Sequence, residues 1–552
     1  MYARIKISII ALSLLIAGNA AAQTDTDAIL SAIQKEVTRS MDSLRIKNMR
    51  PPFFIDYTVV DTKVLSVSAS LGSIVNEQEY TQRFGNPTIL VGDYSRANDP
   101  SSMQSRIPLD NTAVDIETGI WRDMDLLYKN AAESYEAKLA AIARQKIDDE
   151  DLNLPEMEQT PPVQVILPPA TANFDKKYWE NYVAKASETV NKYPEIVSSS
   201  VSAQVNTIMT YTYNTEGTKL AIPSVIHSVS MTMSALADDG MSMSNSFGIS
   251  HTDFEKIPTL EKFIDTCEVV ISKFISSCKA PTIKNEAYAG PVLFERSAVS
   301  QTFLSLFFNS ANSLRAVRKP LLSNFGGGNT LEVMKDKKII SRDLSVTSMS
   351  GTQSYKGEKL VGYFPVDAQG VAPKAEEVLV ENGVLRGMLN GRTPTRKFQH
   401  SNGHMRRLSS YGTAIYPGVA RLSSTKTFPT DSLKKMLLAA AKEEDYEYAY
   451  IVRRYPSEVY RIYVSDGHEE LVRGVRFPDY TMKSYKRVLG ASDTDYIDNI
   501  VSVITMSFIV PEAILFEELE VVHNDNAQLQ KPYIAPQPQP AATPEKGKKQ
   551  KK

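Results

Sequence analysis

Leu65, Val67, Ala69 and Leu71 alternate with Ser66, Ser68 and Ser70, which is the spacing of a strand with one apolar and one polar face. A second run, Val201, Ala203, Val205, Met209, Tyr211 and Tyr213, repeats it. Around these runs the apolar spacing becomes helical. Ile29, Leu30, Ile33, Val37, Met41 and Leu44 follow a cap at Thr26 or Asp27, and Pro51-Pro52 ends that element. Further helices are predicted over 120–146, 179–193 and 258–278, the last with Phe263, Cys267, Val270, Phe274 and Cys278 on one side. Long strands with helices laid on them imply an α+β fold for residues 23–280.

From Tyr288 strand signals dominate. Val292-Leu293-Phe294 reads as a short strand, and Phe303, Leu304, Leu306, Phe307 and Phe308 as an apolar helix core. Asn382-Gly383 between Val378-Leu379-Val380 and Val384-Leu385 is a hairpin signal, and Asp466-Gly467 is another. Strands flank a Pro-led turn at Pro511. Residues 285–525 are therefore expected to form a β-rich C-terminal domain. Asp148-Asp149-Glu150-Asp151 with Pro155, Pro161, Pro162, Pro168 and Pro169 makes 148–170 an exposed loop, a reading preferred to a calcium site. The Gly- and Asn-rich run 324–329 lacks the strand–loop–Lys layout of a phosphate cradle.

The chain of 552 residues is 42% apolar and 23% charged, which excludes disordered, collagen-like and multi-span membrane classes. A formal net charge of −2 gives no long-range attraction for nucleic acid. Arg4 and Lys6 precede the apolar run 7–17 and an Ala-rich end at 20–22, so residues 1–22 read as a secretory signal. The run falls short of the roughly 20 residues that cross a bilayer, as does every later apolar segment. The mature chain is then exported, periplasmic or extracellular, with a net charge of about −4. Its only cysteines, Cys267 and Cys278, lie about 16 Å apart along one predicted helix, too far for a disulfide. They read as buried small apolar residues. Residues 526–552, with five prolines and six lysines after Gln530, are expected to be a disordered tail.

Five stretches in order resemble the TldD/PmbA family, also called the modulator-of-gyrase family. They are Asn214-Thr215-Glu216-Gly217, Gly290-Pro291-Val292-Leu293-Phe294-Glu295, the stretch 381–389 around Asn382-Gly383, the stretch 401–407 around His404, and the stretch 511–519 from Pro511. The resemblance implies an N-terminal α+β domain, a β-rich C-terminal domain and assembly as dimers. It also implies zinc peptidase chemistry in active members, with His-Glu-x-x-x-His on a helix and a later ligand, commonly Cys. Two imidazoles and a third side chain would leave one zinc position open for water, and the Glu would take the water's proton.

Here the motif falls on Ser305-Leu306-Phe307-Phe308-Asn309-Ser310. None of the six histidines starts a comparable string, and no cysteine follows Cys278. A serine hydroxyl is a poor zinc ligand and leucine moves no proton, so no catalytic residue and no cofactor is expected. Ser305 and Ser310 as nucleophiles lack an identifiable base.

His400 and His404 are the weak candidates for a substitute metal pair. Asn402, Gly403, His404, Arg406 and Arg407 are the candidate peptide-binding residues, with the guanidinium forks suited to a carboxylate. The expected function is a non-catalytic peptide-binding or regulatory subunit of a peptidase assembly. It would be a homodimer, or a heterodimer with an active TldD-like paralogue, with an extended peptide as ligand. The alternatives are a zinc peptidase with relocated ligands and a structural envelope protein.

Overall fold

The two alternating runs extend well beyond the residues that announced them. In the computed structural model, β1 (Pro52–Ser70) and β3 (Ile196–Asn214) are each 19 residues long, about 60 Å at 3.4 Å per residue. The structure describes residues 28–524 apart from 102, 111, 145–146, 173, 238–239, 284–287, 320–328, 409–411, 479 and 502–503. The expected signal segment, the Gly-rich part of 324–329 and the C-terminal tail lie outside the described residues.

β1 pairs antiparallel with β2 (Ser73–Val91) and with β3, and β3 pairs with β4 (Lys219–Leu236). Among the described residues, β5 (Ser242–His251) pairs with β4 alone. Leu71, expected on the apolar face of its strand, is instead the exposed tip of the β1–β2 hairpin at φ 53°, next to Gly72. Chain reversal needs positive φ at both turn positions there, and this outweighs the alternation.

Odd-numbered side chains share one face of this sheet. At one end Tyr57, Val59, Met209 and Tyr211 pack under a helix at 28–43 and under α2 (Ala113–Arg144). At the other end Val67, Ala69, Val201, Ala203, Val229 and Met231 pack under α3 (Lys176–Ser187) and α4 (Leu260–Lys279). Cys267 and Cys278 are buried in α4 as small apolar residues of that core. The even-numbered face is polar and lies toward the C-terminal domain.

That second domain is two sheets closed over one core. Its larger sheet centres on β6 (Tyr288–Glu295), parallel to Tyr448–Arg454 and antiparallel to Ala513–His523. The smaller sheet includes Leu344–Ser348, Val419–Ser424 and Thr505–Pro511. α5 (Ser297–Leu304) sits between them, with Phe303 in the core alongside Phe307 and Phe308 of the turn that follows. The chain is α+β, as its periodicities predict. Among the described residues no helix is long and apolar enough to cross a membrane.

Segment 148–170 does more than form a surface loop. Asp148 caps a short helix, Asp149–Leu152, and Leu154 and Met157 are buried. Arg396 of the C-terminal domain donates to Asp148, Glu150 and Asp151 at 2.9, 2.9 and 2.6 Å. The segment straps one domain to the other.

Candidate functional site

The helix entered from β6 carries the positions that matter most. Arg296 turns the chain at φ 47°, its N–H donating to the Glu512 carbonyl, and α5 follows. After Leu304 the hydrogen bonding widens into a π-turn, Ser305–Asn309. On an α-helix residues five apart diverge by about 140°, whereas an i→i+5 turn brings them to one side. Ser305 and Ser310 stand at that spacing. Ser305 is exposed, Leu306 leans on the core, and Ser310 Oγ donates to the Leu306 carbonyl at 2.7 Å.

The stretch 400–407 is held by its own polar groups. Asn402 Oδ1 accepts from Asn390 N–H at 2.9 Å, and Asn402 Nδ2 donates to the Met388 carbonyl. Gly403, at φ 75°, has backbone of Ala372 and Pro373 within 2.9 Å of any added Cβ. His404 is buried, with Nε2 2.7 Å from Ser348 Oγ and 3.1 Å from Ser350 Oγ, and Nδ1 2.9 Å from Asn402 Oδ1. Burial pushes its pKa down to about 3.

His400 lies on the surface, 2.9 Å from Glu158 Oε1 of the strap. The two imidazoles are thus each engaged elsewhere, and among the described residues no three His, Cys, Asp or Glu side chains form a metal-binding group. Arg406 stacks 4.1 Å over the Phe364 ring and donates to the Pro417 and Thr505 carbonyls. Of the five candidate peptide-binding residues only Arg407 faces a cavity.

That cavity, about 600 Å³, lies between the domains at one end of β1, β2 and β3. Its floor is the even face: Phe54 and Asp56 of β1, paired with Leu90 and Thr88 of β2, and Asn214 of β3. Its roof is the hairpin of Met405–Arg407 and Thr413–Ile415. The turn 214–217 closes one side, because Glu216 Oε1 accepts from Arg392 Nη2 at 2.6 Å and from Tyr94 Oη at 2.8 Å. Burial raises Asp56 to about 6 against the pull of Arg407 and Arg392.

A second cleft, about 660 Å³, opens at the opposite end of the same sheet. Ser198–Ser200, Thr232–Ser234 and Ser244–Ser246 face Gln301 and Arg454–Ser457 across it. Gln301 stands one turn before Ser305. Asn214 and Ser199 are 15 residues apart on β3, so about 50 Å of strand separates the two sites.

Residues 287–523 match the family model described as the PmbA/TldA metallopeptidase C-terminal domain. This part of the chain is a TldD/PmbA-type C-terminal domain. TldE from Thermococcus kodakarensis has a similar fold, with a TM-score of 0.55 at 12% identity over 89% of this chain and 100% of that one. A protein described as a modulator of a DNA gyrase from Thermotoga maritima gives 0.54 at 13% identity, over 85% and 96%. One so described from Bacteroides thetaiotaomicron gives 0.54 at 11%, over 89% and 98%. No curated protein matches in sequence.

Within the TldD/PmbA fold the resembling stretches are neighbours. The 290–295 and 511–519 stretches are adjacent strands, with Phe294 opposite Ile514 and Val292 opposite Phe516. Turn 214–217 and stretch 401–407 both border the interdomain cavity. Zinc does not fit the side chains at 305, 306 and 310, which are two hydroxyls and a leucine. Sequence reasoning missed Asp56, Asn86, Arg392 and Gln301. Only Asp56 carried a signal, a lone acid inside the run Phe53-Phe54-Ile55-Asp56-Tyr57.

Proposed function

We propose that this chain is a non-catalytic TldD/PmbA-family protein that holds extended peptides and serves as a binding or regulatory subunit of a peptidase assembly. The observation that carries this is the sequence at 305–310, which has Ser305, Leu306 and Ser310 where the motif implied by the resemblance needs two zinc ligands and a base. The serine-lined cleft is the binding place. Among the described residues β5 pairs with one strand only, and Ser244–Ser246 of it border that cleft, so an extended peptide can add there as a strand through main-chain hydrogen bonds. Serine hydroxyls tolerate many peptide side chains. The protein acts after export, as a homodimer or beside a paralogue that keeps its zinc ligands.

Fluorescence anisotropy with a labelled unstructured peptide tests this on the mature protein, with zinc added and with chelator. Saturable binding without cleavage, weakened by Ser246→Trp, is expected. Cleavage abolished by chelator would overturn the reading and make the chain a peptidase with rebuilt ligands.

A further inference from the structure

The interdomain cavity, remote from the serine-lined cleft, holds polar groups whose partners are missing. Arg407 reaches it from the hairpin roof, and the one hydrogen bond of its guanidinium among the described residues runs from Nη2 to Thr58 Oγ1 at 2.9 Å. A guanidinium has five N–H donors. Asn86 sits directly across from Thr58 on the neighbouring strand, and its Nδ2 is buried without a partner among the described residues. Two unspent donor sets therefore converge around Thr58.

An unsatisfied buried amide costs about 1–3 kcal/mol, so its persistence points to a group that binds there. Asp56, two residues before Thr58 on the same face, attracts the Arg407 guanidinium, but among the described residues no hydrogen bond joins the two. Beside these polar groups the wall is apolar and adaptable: Leu90, Met103, Met157 and Met405 line it. Methionine is unbranched and polarizable, and conforms to differently shaped side chains.

We propose that this cavity captures the free C-terminal carboxylate of a short peptide, with Arg407 and the Asn86 amide binding the two oxygens and the methionine wall taking an apolar last side chain. A volume near 600 Å³ lies within the range of small-ligand pockets. The site does not depend on the serine-lined cleft, and the two can fail separately.

Isothermal titration calorimetry on the mature protein tests it with acetyl-Ala-Ala-Leu as free acid, the same peptide as C-terminal amide, and inorganic phosphate. The acid should bind about ten- to hundredfold more tightly than the amide, the factor expected from charge-assisted hydrogen bonds. Asn86→Asp, nearly isosteric, and Arg407→Gln should each remove that preference, with thermal midpoints reporting that the variants fold. Binding should also tighten as pH falls through 6. Asp56 then loses its charge, while the Arg407 and Arg392 guanidinium groups that face it keep theirs and Glu216 remains held by Arg392. Equal binding of acid and amide, or a preference untouched by Asn86→Asp, would overturn the proposal. Phosphate binding more tightly than the acid and sensitive to the same variants would also overturn it, in favour of an inorganic anion site.

Discussion

Burial pushes the His404 imidazole down to about 3, and the nearby Arg406 charge acts the same way. An unfolded histidine takes up its proton near 6.5, so between about 6.5 and 3 the unfolded chain binds more protons than the native one. Native stability is therefore lost as pH falls through that window, at up to about 1.4 kcal/mol per pH unit from this residue. His404→Asn removes the titration and leaves Ser348, Ser350 and Asn402 poorly partnered, at a cost of about 1–3 kcal/mol at pH 7. Urea unfolding at pH 7 and pH 5 should show the variant's deficit shrinking with acid. A deficit that stays constant would mean that the folded and unfolded imidazole titrate alike. His400, exposed and paired only with Glu158, should change stability by less than about 1 kcal/mol when replaced by alanine. Two histidines four residues apart thus have opposite roles: one imidazole is a buried hydrogen-bonding post and the other is a surface contact.

At the scale of the element, the π-turn makes a sharper demand. Because Ser305–Asn309 is wound i→i+5, a pair at 305 and 310 should converge, whereas on an α-helix it would diverge by about 140°. Ser305→His/Leu306→Glu/Ser310→His should therefore take up zinc in equilibrium dialysis. The parent chain should stay below roughly a tenth of an equivalent. Failure of the triple variant to bind zinc would show that the turn relaxes to an ordinary helix, on which the two positions point apart. None of this winding is legible in sequence, since Leu304, Leu306, Phe307 and Phe308 satisfy an α-helical core pattern equally well. Strands and helices were legible because period two and period 3.6 each mark which face is buried. Asn382-Gly383 was legible because both residues need positive φ, at 46° and 79°. The peptide candidates at 402–407 were only partly so. A run of polar residues does not reveal whether its side chains point outward or, like Asn402 and His404, hold their own loop.

The polar face of the long sheet is roofed by a second domain, and the whole molecule depends on how that roof is fastened. Two arginines from the same stretch do it differently. Arg392 and Glu216 pair at 2.6 Å with side-chain exposures of 1% and 7%, and Arg392 Nε also donates to the Glu158 carbonyl. Arg396 gathers Asp148, Glu150 and Asp151 in water. Desolvated charges are strongly destabilising when left alone, whereas exposed pairs exchange protein contacts for water at little cost. Arg392→Ala should therefore cost about 3–5 kcal/mol and split thermal unfolding into separate transitions for the two domains. Arg396→Ala should change stability by less than about 1 kcal/mol per pair, with an effect that fades in high salt. Differential scanning calorimetry in low and high salt distinguishes the two. Arg392→Met/Glu216→Gln should recover much of the loss, because removing both charges leaves no buried ion unpaired. If the single and double variants unfold alike, the cavity between the domains is held by the strap at 148–158 rather than by this ion pair. The methionine-lined wall would then move with the strap through Met157.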